Sequence, residues 1–515
     1  MTEAAGRSDR PPRPVVVVGA GPTGLTAALL LARYGVACTV LERRSVPWPL
    51  PRAVHLDDEA VRILQLAGVS EGFAAISRPA AGLRLLDARL RPFAEFHRDT
   101  GPAFHGYPAS NLFDQHDLDA LLRRAAERAG AALRTGVQVT GLSTRPDGTV
   151  AVTARDEDVG AAETFRGAAV LGCDGAGSTV RAAIDGRLRD LGFTQRWLVV
   201  DIRCGTGPPP GIGDWAGVDQ VCDPRRAATF MRVTGRRYRW EFRLHPGESA
   251  ADLAAPASLG TLTAPWFAEG AITDQELLRC AEYTFRARVT DRWRAGRVLL
   301  LGDAAHLTPP FIGQGLGAGL RDAHNLVWKL AAVLHGRAGD DLLDSYPAER
   351  ASHAEASIRT AIRVGRAMTG GNGAAAAVRR PLTATLLRLP GAEARALAAT
   401  TCRHPPGIVV DRRRHHRDLA GTCCPQPWVR TGGGTVRLDE VLGPGFALLH
   451  TGPVDPALRA RARALGARTV RLNGPDADDY RTVGDDGTLV EWLGRGRADA
   501  VLLRPDRVVM ASTVR

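Results

Sequence analysis

Lysine is almost absent from this chain of 515 residues: of its 67 basic side chains only Lys329 is a lysine, and the others are arginines. The formal net charge is still +12, a balance that often marks a polyanion partner. The densest basic run, Arg412 to Arg417, carries no aromatic residue on which a base could stack. It therefore reads as a solvated linker, and nucleic acid is not an expected partner. Paired-cysteine motifs are missing too. The eight cysteines (Cys38, Cys173, Cys204, Cys222, Cys280, Cys402, Cys423 and Cys424) show no zinc-like spacing and no CxxC, so neither a metal site nor a dithiol centre is expected. Reduced thiols in a cytoplasm are the expectation. No apolar run reaches the ~20 residues of a membrane span, and the stretch Met1 to Pro14 is polar and proline-containing, unlike a secretory leader. With 44% hydrophobic residues, the chain can fill about two to four globular cores, which excludes disordered and fibrous classes.

What is present is an α/β pattern. Val15 to Val18 form a β-branched run entering a glycine-rich turn, Leu25 to Tyr34 read as an Ala/Leu-rich helix, and Cys38 to Leu41 as a second strand, together a βαβ unit. Val170 to Asp174 and Arg297 to Leu301 are further buried-type strands ending in small or acidic turns. Their spacing predicts one nucleotide-binding sheet assembled from distant segments. Between them Tyr238, Trp240, Phe242 and Leu244 alternate with Arg239, Glu241 and Arg243, the period of a strand with two unlike faces. This predicts an inserted antiparallel sheet. Amphipathic helices follow Asp322, His404 to Gly407 mark a boundary, and Phe446 to Leu449, Ala500 to Leu503 and Val508 to Met510 suit a small α/β unit at the C-terminus.

Gly19, Gly21 and Gly24 form GxGxxG at a strand-to-helix turn. There, backbone N–H groups and the helix dipole can meet a pyrophosphate with no Cβ in the way. Glu42 closes the second strand, where a carboxylate can accept from an adenosine ribose. The chemistry predicted is dinucleotide binding.

Two further motifs follow in order. Gly172-Cys173-Asp174-Gly175 with Ser178 to Arg181 resembles the DG motif, and Gly302-Asp303-Ala304-Ala305-His306 with Pro309-Pro310 resembles the GD motif, of the single-component FAD-dependent aromatic hydroxylases. Pro51 to Glu59, Arg196 to Asp201 and Gly313 to Leu326 are similar to the branch containing 3-(3-hydroxyphenyl)propionate hydroxylase and aromatic polyketide hydroxylases. The resemblance implies an FAD-binding domain in two parts (residues 1–185, with a segment near 80–105 joining the substrate sheet, and residues 286–400). It further implies a substrate-binding β-sheet domain (186–285) and a thioredoxin-like C-terminal domain (401–515), structural or dimer-forming. FAD would be the bound cofactor, with NAD(P)H docking transiently and O2 as co-substrate. The reaction implied is hydroxylation of a phenolic or polyketide-type ring through a flavin C4a-hydroperoxide.

By the same resemblance the cofactor-binding residues are Gly19, Ala20, Gly21, Pro22, Thr23, Gly24, Glu42, Arg43, Arg52, Gln115, Asp174, Asp303, Pro310, Gly313, Gly315 and Leu316. Asp303 would bond the ribityl chain, Arg52 and Gln115 would lie near the ribose and diphosphate, and Asp174 would lie between FAD and the nicotinamide donor. Pro310 would flank the flavin ring, and the N–H groups of Gly313 to Leu316 would face its pyrimidine side. Arg52 and Pro310 are the flavin-proximal candidates for catalysis, and no base for the phenol stands out. Met231, Tyr238, Trp240 and Phe242 are the candidate substrate lining, and His306 and His324 read as structural. A Baeyer-Villiger oxygenase on the same fold and a non-catalytic flavin- or polyketide-binding protein are the alternatives.

Overall fold

The computed structural model describes residues 13–46, 53–157, 159–205, 215–223, 225–267, 275–369, 403–407, 409–411, 415–474 and 481–513. Val15–Val18 sits inside a six-stranded sheet, paired in parallel with Ala169–Gly172 on one side and Cys38–Glu42 on the other. All four valines are buried, as expected of a parallel strand covered on both faces. Val298–Leu300 joins in parallel beyond Ala169–Gly172, so segments more than 250 residues apart end at one edge. The helix Pro22–Arg33 leaves that edge from Gly21, with proline in its first turn and no side-chain cap. Its first N–H groups are thus left for another acceptor.

An eight-stranded mixed sheet lies beside this layer. Its order is His306–Leu307, Glu276–Thr290, Leu188–Arg203, Arg237–Arg243, Ala228–Arg232, Val218–Val221, Gly82–Leu86 and Pro92–His97. One face packs a core of Leu198, Val200, Phe230, Tyr238, Trp240 and Phe242 against Leu259 and Trp266, on and after the helix Pro256–Thr263. The opposite face looks towards the glycine turn.

The C-terminal segment forms a five-stranded mixed sheet, ordered Arg481–Val483, Arg468–Leu472, Ala447–His450, Ala500–Leu503 and Val509–Ser512, around its own core. Two buried ionic clusters bind it to the rest. In the first, Glu349 accepts from Arg504 Nη1 (2.7 Å) and from Lys329 Nζ (2.9 Å), while Arg504 also pairs with Asp506. Burial lowers the Lys329 pKa to about 8, helped by Arg504 and opposed by Glu349. In the second, Asp439 accepts from Arg62 (2.7 and 2.8 Å) and from Arg507 (2.8 Å). Glu349→Ala would leave two buried cations, Arg504 and Lys329, short of a counter-charge, so we expect a loss of about 3 to 5 kcal/mol. A melting curve with early proteolysis of the C-terminal segment checks this.

Candidate active site

A cavity of about 1050 Å3 lies where the two sheets face each other. Its wall on the side of the glycine turn includes Gly21, Pro22, Thr23, Gln115, Asp303, Pro310, Gly313, Gly315 and Leu316. The glycines have separable tasks. A Cβ on Gly24 would lie 2.1 Å from the Gly19 carbonyl, and one on Gly19 would lie 2.4 Å from the Cys173 carbonyl, so these two close the turn. A Cβ on Gly21 would meet nothing within 4 Å. That position is the open one, facing the space a phosphate would occupy.

Glu42 secures the turn: its carboxylate accepts from Ala20 N (2.8 Å) and Arg44 N (3.0 Å). Arg43 is exposed beside it, and Arg52 lies outside the described residues. Gln115 Oε1 accepts from Ala53 N (2.8 Å), fixing the lining segment that follows. Asp174 does not line the cavity. It closes its own turn, accepting from Ser178 Oγ (2.5 Å) and Val180 N (3.1 Å), while Cys173 and Gly175 on either side do line it.

The helix Gly315–Leu334 begins at the cavity with no side-chain cap. Gly313 before it has φ +64°, and a Cβ there would lie 2.6 Å from His55 Nδ1. The Gly313 carbonyl can only accept, so His55 Nδ1, 3.2 Å away, carries the hydrogen, and Nε2 accepts from Ser110 Oγ (2.9 Å). Burial lowers the His55 pKa, in keeping with this neutral form. Behind the cavity the buried Asp322 carboxylate accepts from Gly302 N (3.0 Å) and Arg350 Nε (2.8 Å) and meets His306 Nε2 at 2.7 Å. It thereby sets the turn that presents Asp303. His306 is buried on this carboxylate and does not line the cavity. Its partner was hidden in sequence because Asp322 is a helix residue 16 positions on.

The substrate-side expectation needs correction. Met231 lines the cavity, but Tyr238, Trp240 and Phe242 do not. They belong to the core on the far face, where Trp240 packs against Phe230, Trp266 and Phe267. Strict alternation identifies two faces without saying which one a helix will cover. Here the helical segment ending in Trp266 covers the aromatic face, so the intervening Arg239 and Glu241 point into the cavity with Val199, Gln220 and Thr229. Arg239 and Arg279 share the buried Asp201 carboxylate. Thr229 Oγ1 donates to Gln220 Oε1 (3.0 Å). Burial raises the Glu241 pKa, partly offset by Arg239. Phe285, Phe311, Val364 and Met368 complete an apolar flank. The sequence reading missed Glu241, Arg239, Arg279 and His55 as cavity residues; the first two had a signal in the alternation and His55 in the run Pro51 to Glu59, whereas Arg279 had none.

The cradle fits FAD: an open glycine turn, two helix N-termini without side-chain caps and an acidic turn all meet one cavity. Fold and site therefore define a flavoprotein. Residues 13–361 match the model of the FAD binding domain, and residues 421–515 that of the HcaD C-terminal domain. The chain is 35% identical to the 3-(3-hydroxy-phenyl)propionate/3-hydroxycinnamic acid hydroxylase 2 of Burkholderia vietnamiensis, covering 97% of this chain and 93% of that one. It is 32% identical to the "Probable NADH-specific resorcinol 4-hydroxylase" of Rhodococcus jostii, covering 96% and 91%. Among solved structures, aklavinone-11 hydroxylase in complex with FAD and aklavinone aligns with a TM-score of 0.79 at 25% identity over 97% of this chain and 95% of that one. The anhydrotetracycline hydroxylase of Streptomyces rimosus aligns at 0.76 and 27% identity over 98% and 96%. The chain belongs to the single-component FAD-dependent aromatic hydroxylases, enzymes of the flavin monooxygenase class.

Two predictions follow from the geometry. Gly24→Ala should lower both FAD affinity and the melting temperature of the FAD-free protein, whereas Gly21→Ala should weaken FAD binding with the FAD-free melt unchanged, as flavin titration and calorimetry would read. Trp240→Ala should cost about 3 to 5 kcal/mol as a core truncation, with product formed per nicotinamide oxidised unchanged in the folded fraction.

Proposed function

We propose that this enzyme hydroxylates a phenolic or polyketide-type aromatic substrate, consuming NAD(P)H and O2. The observation that carries this reading is the single cavity walled on one side by the cofactor cradle and on the other by a sheet face of mixed polar and apolar residues. Bound FAD would supply the redox chemistry, taking hydride from the nicotinamide and delivering one oxygen atom of O2 to the ring.

The chain's own residues bind, orient and exclude water. Asp303 would hold the ribityl chain, Gly21 to Thr23 the pyrophosphate, and the N–H groups opening the helix Gly315–Leu334 the pyrimidine side of the ring. Arg239, Glu241, Thr229 and Gln220 supply the polar contacts for an oxygenated ring, and Phe285, Phe311 and Met368 keep it dry. The relatives named for hydroxyphenylpropionate and resorcinol support a phenol, and the aklavinone complex supports a larger polycycle.

The same reading divides the chain into an FAD-binding part, an inserted sheet for substrate and a thioredoxin-like C-terminal domain, and allows that domain to pair two copies. The seven cysteines among the described residues form no disulfide, which supports a reducing cytoplasm, and no helix among the described residues is long and apolar enough to cross a membrane.

Denaturation should release FAD and not FMN, and a panel including 3-(3-hydroxyphenyl)propionate, resorcinol and anhydrotetracycline should contain a compound that both accelerates NAD(P)H oxidation and gains one oxygen atom. Asp303→Ala should loosen FAD by about tenfold or more, the weight of a charge-assisted bond to a buried hydroxyl. An affinity within about twofold of wild type would confine Asp303 to shaping its turn. Oxidation without an oxygenated product across the panel would sink the hydroxylase reading.

A further inference from the structure

One stretch of the cavity wall is held from outside by the C-terminal unit. Ala103, Phe104 and His105 line the cavity. They belong to a tight turn in which Ala103 N donates to the Tyr107 carbonyl and Gly106 N to the Ala103 carbonyl, both at 2.8 Å, with Gly106 at φ +79°. Three consecutive carbonyls of this turn accept from two C-terminal residues. Phe104 O takes Gln426 N (2.9 Å), His105 O takes Gln426 Nε2 (2.9 Å), and Gly106 O takes the Arg437 guanidinium. Arg437 also lies against the rings of Tyr107 (4.0 Å) and Trp428 (4.5 Å). A Cβ on Gly106 would lie 2.5 Å from the Gln426 carbonyl, so the two segments are in full contact.

The inner side of the turn carries the grip into the cavity. Arg62, held by Asp439, reaches His105 Nδ1 (3.2 Å) and donates to the Cys424 carbonyl (2.6 Å). The His105 N–H donates to Asp58 (2.9 Å), another lining residue. Burial, with the charge of Asp57, pushes the Asp58 pKa up to about 7. Ala103 and Phe104 also line a second cleft, shared with Trp428 and Trp492, so the turn is the partition between the cavity and the outside. The Glu349 and Asp439 clusters already fasten the C-terminal unit. The contacts of Gln426 and Arg437 with the turn are additional, and they are aimed at the wall.

We propose that the C-terminal unit is a working part of the substrate site: Gln426 and Arg437 are positioning residues that set the 103–107 wall, and through His105 the Asp58 carboxyl, against the aromatic substrate. The kinetic arm of the proposal rests on the hydroxylase reading above; the structural arm does not.

The test uses the full-length FAD-loaded protein with Arg437→Ala and Gln426→Ala, and with Arg461→Ala as a control that removes an ion pair to Asp411 away from the turn. Amide hydrogen exchange at residues 104–107 should quicken by about tenfold or more in either test variant and stay unchanged in the control. Equal exchange overturns the proposal whatever the kinetics. With 3-(3-hydroxyphenyl)propionate as probe, KM should rise about tenfold and product per NADH should fall while FAD affinity holds, the pattern of a displaced wall. Arg437→Lys, which keeps the donor but loses the planar stack, should fall between. Faster exchange with KM and product yield unchanged would reduce the C-terminal unit to a fastener and overturn the proposal. If wild type leaves this probe unoxygenated, the compound of the panel above that it does oxygenate takes its place; if it oxygenates none, the hydroxylase reading fails and the kinetic arm of the proposal with it. Should Arg437→Ala fail to fold, Gln426→Ala carries both readouts.

Discussion

The carboxylate of Asp322 is the constraint on which the cofactor side of this protein depends. It is fully buried and engages a backbone N–H and an imidazole from the Gly302–His306 turn and a guanidinium from the helix that carries Arg350. Burial alone would raise its pKa, but His306 and Arg350 hold it below the usual carboxylate range. A buried charge of this kind is tolerable only while its partners are present; removing one leaves an imbalance of ~3 to 5 kcal/mol. The arrangement therefore tolerates one geometry, in which Gly302 sits against the helix Gly315–Leu334 and Asp303 turns to the cavity. The close fit continues outward: a Cβ on Gly302 would lie 2.9 Å, and one on Gly319 2.3 Å, from Thr23 Oγ1. Glycine turn, acidic turn and helix start are thus held as one unit before any ligand arrives.

The parts of the site legible in sequence are those whose physics is local. A glycine that closes a turn and a valine strand buried on both faces leave their signature within a few residues. The aromatic alternation of Tyr238 to Leu244 was equally plain, and it located a two-faced strand. Which face met the cavity was decided by the segment around Trp266, more than twenty residues later, and nothing in the strand encodes that choice. The polar wall of Arg239, Glu241 and Thr229 was therefore not singled out as cavity lining. Arginines that share Asp201 are inward-facing because the carboxylate offsets their desolvation, and that pairing exists only after the sheet has formed.

The C-terminal unit was expected to be structural or dimer-forming, with no part in the site, because its ties to the site are also non-local. Its ionic ties to the remainder pair residues up to 377 positions apart, as Arg62 with Asp439, and each member taken alone is an ordinary charged residue. The pattern recognisable in sequence was a run of apolar strands, which speaks for a separate core and is silent about what that core leans on. Together the two buried clusters and the turn at residues 103–107 add ionic and hydrogen-bonded ties to the apolar contact between the units. Such contact is directional, so it fixes orientation as well as proximity.

The lone lysine acquires a different meaning once its place is known. Lys329 is buried beneath the C-terminal sheet, so among side chains the surface offers guanidinium groups and no primary amine. Guanidinium groups keep their protons throughout the alkaline range in which ammonium groups lose theirs. The exterior consequently holds its positive charge as the medium becomes basic. Reagents that acylate amines find no side chain to modify on the folded protein, whereas unfolding would expose one.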